Sequence, residues 1–160
     1  MIKLIIFDFN RTIFDPEKNI IEKSTFGLLR TLLKNRIELA LITTYNRKRL
    51  NKIKSLKLKD YFKIIIITKK KTKKKFKRLV KELKLKPKEI IIIGDCLEEE
   101  IRIGNSLRIK TIWLNNKSQF RIKNKSCIPW ITINNLKELK LLLKKTLINN
   151  QDLINEKENN

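Results

Sequence analysis

Two acidic residues each follow a strongly apolar stretch of the chain, and both have the chemistry of a metal or phosphate site. Asp8 comes directly after the run 2–7, and Asp95 follows the run 90–93 through a single glycine. Isoleucine-rich runs of this length are typical of buried parallel strands, and ligands bind outside the carboxyl ends of such strands. A carboxylate there needs a partner or a task, because burial without either is costly. Two such carboxylates could hold Mg²⁺, and one could attack phosphorus.

Hydroxyl and ammonium groups follow two further apolar runs. Thr43 and Thr44 come after the run 37–42, and the lysines 69–71 come after the run 63–67. Because the carboxyl ends of parallel strands face one edge of a sheet, we expect these groups to share a crevice with the two acids. Hydroxyl and ammonium donors would stabilise charge on phosphoryl oxygens. The residue types therefore favour phosphoryl transfer.

Each of these residues also has a purely structural interpretation. Asp8 could cap a strand end, and Asp95 could cap the helix that follows it. Thr43 could simply end a strand, and most of the lysines after residue 68 must form a solvated helix start. The acids 98–100 could be favourable first-turn charges for a helix dipole.

Apolar periodicity predicts the elements that would position these residues. The predicted strands are 2–8, 37–42, 63–67, 90–93, 109–114 and, less clearly, 130–133. The predicted helices are 24–35, with Ser24 as N-cap, 47–56, 73–85, 98–106 and 136–147. Strands that alternate with helices indicate βαβ units. We therefore predict an α/β fold, a three-layer Rossmann-like parallel sheet with helices on both faces, as a single domain over 1–148 with a polar tail over 149–160.

Composition excludes several classes of site. The chain has no histidine, which excludes Ser/His and Cys/His catalysis and every zinc site with a histidine ligand. Two cysteines, Cys96 and Cys127, make no disulfide framework, so a cytoplasmic location is expected. The longest apolar runs are strand-sized and far below the ~20 residues of a membrane span, so no membrane partner is expected.

The formal net charge of +23 has two interpretations. It could attract an anionic partner, nucleic acid or a phosphorylated substrate. It could also reflect coding bias, because lysine, isoleucine, leucine and asparagine are all abundant. The segment 69–88 holds twelve basic residues against one acid, Glu82. Few aromatic residues interleave with that segment, so it does not indicate base stacking.

The order of these features resembles the haloacid dehalogenase superfamily of phosphohydrolases over nearly the whole chain. Members of that superfamily begin with an apolar strand ending in Asp-x-Asp-x-Thr. A Thr or Ser ends the next strand, a lysine precedes a later helix, and a further apolar strand ends in Gly-Asp with another acid beyond it. The matching positions here are Asp8-Phe9-Asn10-Arg11-Thr12, then Thr43, one of the lysines 69–71, and Gly94-Asp95 with Glu98, Glu99 and Glu100.

The resemblance implies a role for each residue. Asp8 would be the nucleophile and an Mg²⁺ ligand, together with Asp95 and the backbone carbonyl of Asn10. Thr43, with Thr44 beside it, would bind the phosphoryl group. Lys70, favoured over Lys69 and Lys71 by counting back from Phe76, would neutralise charge that develops on the phosphoryl group and would restrain Asp8. Glu99 or Glu100 would serve the metal. Thr12 would buttress the loop.

Asn10 departs from the superfamily pattern, which has an Asp at this position as general acid and base. An amide can do neither, and such assistance is worth roughly 10²–10⁴-fold. The substrate could then have a good leaving group, such as an acyl phosphate. Another carboxylate, for example Asp15, could substitute. Alternatively, the chain is no longer an efficient enzyme.

The short connections predict the capless type of this superfamily. One helix separates Asp8 from Thr43, and one helix and one strand separate Thr43 from the lysines. An open crevice suits macromolecular substrates or needs a neighbouring subunit as a lid. The preferred hypothesis is an Mg²⁺-dependent phosphatase or phosphotransferase. The alternative is a catalytically degraded module that binds RNA or another polyanion through its lysine-rich surface.

Overall fold

A single six-stranded parallel sheet organises the computed structural model, which describes residues 1–115 and 124–143. The strand order is β3-β2-β1-β4-β5-β6, so β1 lies in the middle of the sheet. The strands are β1 (Leu4–Phe7), β2 (Glu38–Thr44), β3 (Ile64–Thr68), β4 (Ile90–Gly94), β5 (Lys110–Leu114) and β6 (Ile131–Ile133). The helices are α1 (Lys23–Lys34), α2 (Arg47–Ser55), α3 (Lys73–Glu82), α4 (Arg102–Ser106) and α5 (136–143).

Both faces of the sheet are covered, as the apolar strands require. Along β1, Ile5 and Phe7 belong to one buried cluster and Leu4 and Ile6 to another, because successive side chains point to opposite faces of a strand. The first cluster includes apolar residues of α1, α2 and α5, and the second includes residues of α3 and α4. The predicted three-layer α/β fold is therefore confirmed.

Two helix starts differ from the prediction. Helix α1 begins after Glu22 and not after Ser24, whose hydroxyl donates a hydrogen bond to the Glu22 carboxylate over 3.1 Å. The predicted helix 98–106 begins as a π-helical turn, Leu97–Ile101, and only then continues as α4. Such turns occur frequently at functional sites. The last residues of the predicted helix 136–147, and the predicted tail 149–160, lie outside the described residues.

The connections around the central strands are short. Between β1 and β2 the chain forms one tight turn and α1, and between β2 and β3 it forms α2 and a 3₁₀ turn, Leu58–Asp60. Residues 8–72, all of which are described, thus contain no inserted domain. Within the described ranges, no helix has both the length and the apolar character needed to cross a bilayer.

Candidate active site

Strand register places the two candidate acids side by side at the carboxyl edge of the sheet. Phe7 pairs with Leu41 of β2 and with Ile93 of β4, so Asp8 comes level with the residues just before Thr43 and Asp95. The backbone N–H of Asp8 extends the ladder by donating to the Ile93 carbonyl over 2.9 Å. The Asp8 residue is only 3% exposed. Asp8 is therefore a buried acid at the end of the central strand β1.

The turn after Asp8 is fixed by its own backbone. The Phe9 carbonyl accepts hydrogen bonds from three successive N–H groups, those of Thr12, Ile13 and Phe14. The Phe9 and Phe14 rings stack 5.0 Å apart, and Arg11 takes a left-handed conformation with φ of 61°. No backbone hydrogen bond of the described chain uses the Asn10 carbonyl. That oxygen is thus available as a ligand beside Asp8.

Lys71, and not Lys70, is the lysine at Asp8. Its ammonium lies 2.6 Å from Asp8 Oδ1, and its side chain is 5% exposed. The residue Lys70 is exposed. Its backbone carbonyl accepts hydrogen bonds within the turn from the Thr68 hydroxyl over 3.2 Å and from the Lys75 ammonium over 3.0 Å. The prediction of Lys70 is wrong by one residue.

The π-helical turn brings two acids to Lys71. Glu100 is 1% exposed and accepts a hydrogen bond from the Lys71 ammonium, while Glu99 Oε2 lies 3.3 Å from it. The second Glu100 oxygen accepts from the Cys96 N–H over 3.3 Å. The thiol of Cys96 and the carboxylates of Glu99 and Glu100 each place one atom within 4.8 Å of the others. A Cβ on Gly94 would lie 2.5 Å from Glu100 Cγ, so only glycine fits there.

These carboxylates are crowded and short of positive charge. Burial, followed by the charge of Asp8, raises the pKa of Asp95 to about 6 and that of Glu100 to about 7. Burial also raises the pKa of Asp8, although the Lys71 ammonium opposes that rise. Burial alone would lower the pKa of Lys71, but the charges of Asp8 and Glu100 raise it instead. A further cation beside Asp8 and Asp95 would relieve this repulsion.

Thr43 and Thr44 share an arginine that the sequence did not single out. Arg49 Nη1 donates to Thr43 Oγ1 over 3.1 Å and to the Thr44 carbonyl over 2.9 Å. Its charge also helps to oppose the rise in the pKa of Asp8. Asn46 caps α2 by accepting from the Arg49 N–H, which fixes Arg49 in the first turn of the helix. The only signal in the sequence was its place just after the predicted threonine pair.

The carboxylate of Asp15 is already engaged by its own turn. Its Oδ1 accepts the backbone N–H groups of Glu17 over 2.9 Å and Lys18 over 3.1 Å. The N–H of Lys18, assisted by that of Glu17, holds the pKa of Asp15 below its usual value. A carboxyl group held in this way is a poor proton donor at neutral pH.

A cavity of about 500 Å³ adjoins Asp95 on the β5–β6 side of the site. Arg11 and the turn after β1 form one wall, and Trp113 and Asn134 belong to the other. The Trp113 indole N–H donates to the Asp95 carbonyl over 3.0 Å and so fixes the backbone of that residue. The site thus has an open space large enough for part of a substrate.

Solved structures of known proteins share this fold. The HAD hydrolase YfnB from Bacillus subtilis, described as bound to magnesium, matches with a TM-score of 0.75 and 16% identity, over 89% of this chain and 98% of that one. A HAD phosphatase from Thermococcus onnurineus matches with a TM-score of 0.74 and 17% identity, over 89% and 98%. A HAD-superfamily hydrolase from Ehrlichia chaffeensis matches with a TM-score of 0.70 and 16% identity, over 92% and 99%.

The sequence itself carries the family signal over more than half of its length. A search of curated proteins gave no significant match. The family described as haloacid dehalogenase-like hydrolase matches residues 24–114, which include Thr43, Lys71, Asp95 and Glu100. The resemblance inferred from the motifs is thereby confirmed: this chain belongs to the family of haloacid dehalogenase-like hydrolases.

Proposed function

We propose that this protein is an Mg²⁺-dependent phosphohydrolase or phosphotransferase that works through an aspartyl-phosphate on Asp8. The observation that carries the proposal is the buried cluster at the carboxyl edge of the sheet. There the Lys71 ammonium meets the carboxylates of Asp8 and Glu100, with Asp95 close enough to feel the charge of Asp8. Buried, crowded acids of this kind are found at functional sites more often than in ordinary cores.

The donors present fit a magnesium ion. Asp8, Asp95 and the Asn10 carbonyl would supply oxygen ligands, which Mg²⁺ prefers. The raised pKa of Asp95, caused by burial and by the charge of Asp8, is the expected mark of carboxylates that lack a cation between them. When bound, Mg²⁺ would neutralise charge on the phosphoryl group and on the two acids.

The side chains of this chain divide the remaining work. An Asp8 carboxylate oxygen attacks phosphorus, the bond from phosphorus to the leaving oxygen breaks, and the phosphoryl group is carried on Asp8. Water then attacks that phosphorus and frees the carboxylate as inorganic phosphate leaves. Lys71 holds Asp8 Oδ1 and so fixes the carboxylate for attack, while Thr43 and Arg49 donate hydrogen bonds to the phosphoryl oxygens.

Asn10 restricts the substrate. Neither its amide nor Asp15, with its lowered pKa, can give a proton to the leaving oxygen. An alkyl phosphate would therefore depart slowly, whereas an acyl or aryl phosphate needs little protonation. We infer that the preferred small substrates have good leaving groups.

The test compares three variants on two substrates. We expect the native protein to hydrolyse acetyl phosphate in an Mg²⁺-dependent reaction, and we expect Asp8→Asn to abolish that activity. The control Asp60→Asn should retain it, because Asp60 is an exposed acid in the 3₁₀ turn before β3, at the opposite edge of the sheet from Asp8. Asn10→Asp should raise turnover of an alkyl phosphate by roughly 10²-fold or more.

Equal inactivity of all these proteins would refute the enzymatic proposal. Salt-sensitive RNA binding that survives in Asp8→Asn would then favour the second candidate, a polyanion-binding module. Asn10 and the engaged carboxylate of Asp15 are the observations that keep that candidate in view.

A further inference from the structure

The positive charge of the chain is concentrated in one half of the sheet. Residues 38–82, which form β2, α2, β3 and α3, contain seventeen lysines and arginines and three acids, Glu38, Asp60 and Glu82. The other 115 residues contain twenty-two basic residues and thirteen acids. Coding bias explains a high lysine content, but it does not explain why acids are so much scarcer in this half.

Part of this charge lies at the opening of the site. The loops that precede α2 and α3 both leave the carboxyl edge of the sheet, and the Tyr45 N–H joins them by donating to the Thr68 carbonyl over 2.6 Å. These loops and the first turns of the two helices carry six exposed cations, which we call the basic rim. The basic rim consists of Arg47, Lys48, Lys69, Lys70, Lys73 and Lys74.

The basic rim has no acidic partners of its own within residues 1–115 and 124–143. Among the residues that the structure describes, none of its six members forms an ion pair, whereas Lys71 at its inner border is paired with three acids. Arg49 continues the positive charge inward to Thr43. The cations thus form a path from solvent to the proposed phosphoryl position, and phosphate groups are the anions that such a path suits.

An exposed aromatic ring stands within the basic rim. Tyr45 follows Thr44 directly, its backbone is fixed by the hydrogen bond to Thr68, and the residue is 57% exposed. An exposed aromatic ring beside a positively charged groove is the usual platform for a nucleic-acid base. Segment 69–88 lacks such a ring, and the loop before α2 supplies it.

The opposite side of the opening is less positive. The cavity beside Asp95 is lined by three acids, Asp15, Glu17 and Glu22, as well as by two cations, Arg11 and Lys137. A polyanion that reached Asp8 would therefore be attracted more strongly over β2 and β3 than on that side. The charges thus favour one direction for the substrate.

We propose that the phosphoryl group processed at Asp8 is the terminal phosphate of a single-stranded nucleic acid. Its leaving oxygen belongs to a sugar and Asn10 cannot protonate it, so hydrolysis is slow and depends on the binding energy of the rest of the strand. The neighbouring phosphates lie along the basic rim, and one base stacks on Tyr45. A single strand is required because the bases of a duplex are not available for stacking on a side chain. This inference rests on the proposed function and names its substrate class.

The test measures a selectivity ratio, kcat/KM for a phosphorylated ten-nucleotide strand over kcat/KM for acetyl phosphate. Strands of DNA and RNA with the phosphate at either end are compared. We expect Tyr45→Ala to lower the ratio about tenfold and Tyr45→Phe to preserve it, since base stacking on an aromatic residue is worth roughly that much.

A matched pair of charge variants tests the basic rim. Lys73→Ser/Lys74→Ser should lower the ratio and make the dependence of log kcat/KM on log salt shallower by about 1.4 units, because each of the two phosphate contacts on a single strand contributes about 0.7. The control Lys86→Ser/Lys88→Ser removes the same charge next to the 3₁₀ turn that leads into β4, at the opposite edge of the sheet. That control should leave both quantities unchanged.

Failure of the inference differs from failure of the proposed function. Suppose that acetyl phosphate is hydrolysed but the selectivity ratio is equal in all variants, or that a phosphopeptide is preferred to every strand. Either result would refute the nucleic-acid substrate and leave the proposed enzymatic function intact. If nothing is hydrolysed, the proposed function fails together with processing at Asp8, and fluorescence anisotropy then decides only whether the site binds the terminal phosphate of a strand. Equal affinity for strands with and without the terminal phosphate would then refute that binding.

Discussion

The exchange of Lys71 for methionine tests the central contact of the site. The Lys71 side chain, 5% exposed, separates two carboxylates whose side chains are 3% and 1% exposed, those of Asp8 and Glu100. Removing one partner from a buried ion pair costs about 3–5 kcal/mol. We expect the lower end, about 3 kcal/mol, because burial already raises the pKa of Glu100 to about 7 and protonation can remove its charge.

The expected loss is measurable by thermal unfolding. For a chain of this size, about 3 kcal/mol corresponds to a fall in Tm of roughly 6–12 °C. Circular dichroism in metal-free buffer at pH 7.5 would follow it, with Lys70→Met as the matched control. Lys70 is exposed, so its exchange should change the Tm by less than about 2 °C.

A second variant separates charge from packing. If the loss in Lys71→Met comes from unpaired carboxylates, adding Glu100→Gln should recover part of the Tm. Our reading of the cluster would be refuted by a Lys71→Met protein as stable as the native one, or by a Lys70→Met protein that loses as much.

Two further predictions concern the same edge of the sheet. Gly94→Ala should destabilise the fold by about 1–3 kcal/mol, because the new Cβ would lie 2.5 Å from Glu100 Cγ. Gly27→Ala, whose Cβ would meet no atom within 4 Å outside its own helix backbone and its chain neighbours, should stabilise α1 by about 0.5–1 kcal/mol. Urea denaturation measures both changes, and equal effects would contradict the steric argument. Burial and the charge of Asp8 raise the pKa of Asp95 to about 6. The metal-free protein should therefore lose stability relative to Asp95→Asn as the pH rises from about 4 to 6, and Mg²⁺ at pH 7.5 should offset that loss. Parallel Tm curves for the two proteins, with and without Mg²⁺, would contradict this prediction.

The sequence predicted the sheet well because its strands are extreme in composition. Uninterrupted isoleucine runs are strongly driven towards burial, and their alternation with helical patterns leaves a parallel sheet as the natural arrangement. Asp8, Thr43 and Asp95 follow from the same reasoning, since each stands one or two residues beyond an apolar run. Position relative to a strand end is a property that a single sequence displays.

The lysine was misplaced because turns are set by contacts that the sequence does not display. Three consecutive lysines offered no chemical difference, and the prediction ended β3 at residue 67. In the structure β3 extends to Thr68, and the Thr68 hydroxyl and the Lys75 ammonium hold the Lys70 carbonyl. That turn directs Lys71 inward.

Arg49 and the choice between the two glutamates were hidden for a similar reason. Arg49 acts six residues beyond Thr43 across the start of a helix, where side-chain direction depends on the cap formed by Asn46. Glu99 and Glu100 both reach Lys71 because the helix begins with a π-helical turn, and no pattern of apolar residues indicated that turn.

The uneven charge of the two halves of the sheet also sets how the molecule meets a flat surface. On a negatively charged chromatography resin, or on heparin, the half that holds residues 38–82 would adsorb first. The opening next to Asp8 lies on that side, so the adsorbed protein would be oriented with its opening against the support. Immobilisation through the opposite edge, near Lys86 and Lys88, would leave the opening exposed. The choice of support would therefore decide whether substrate can reach Asp8 in the adsorbed protein.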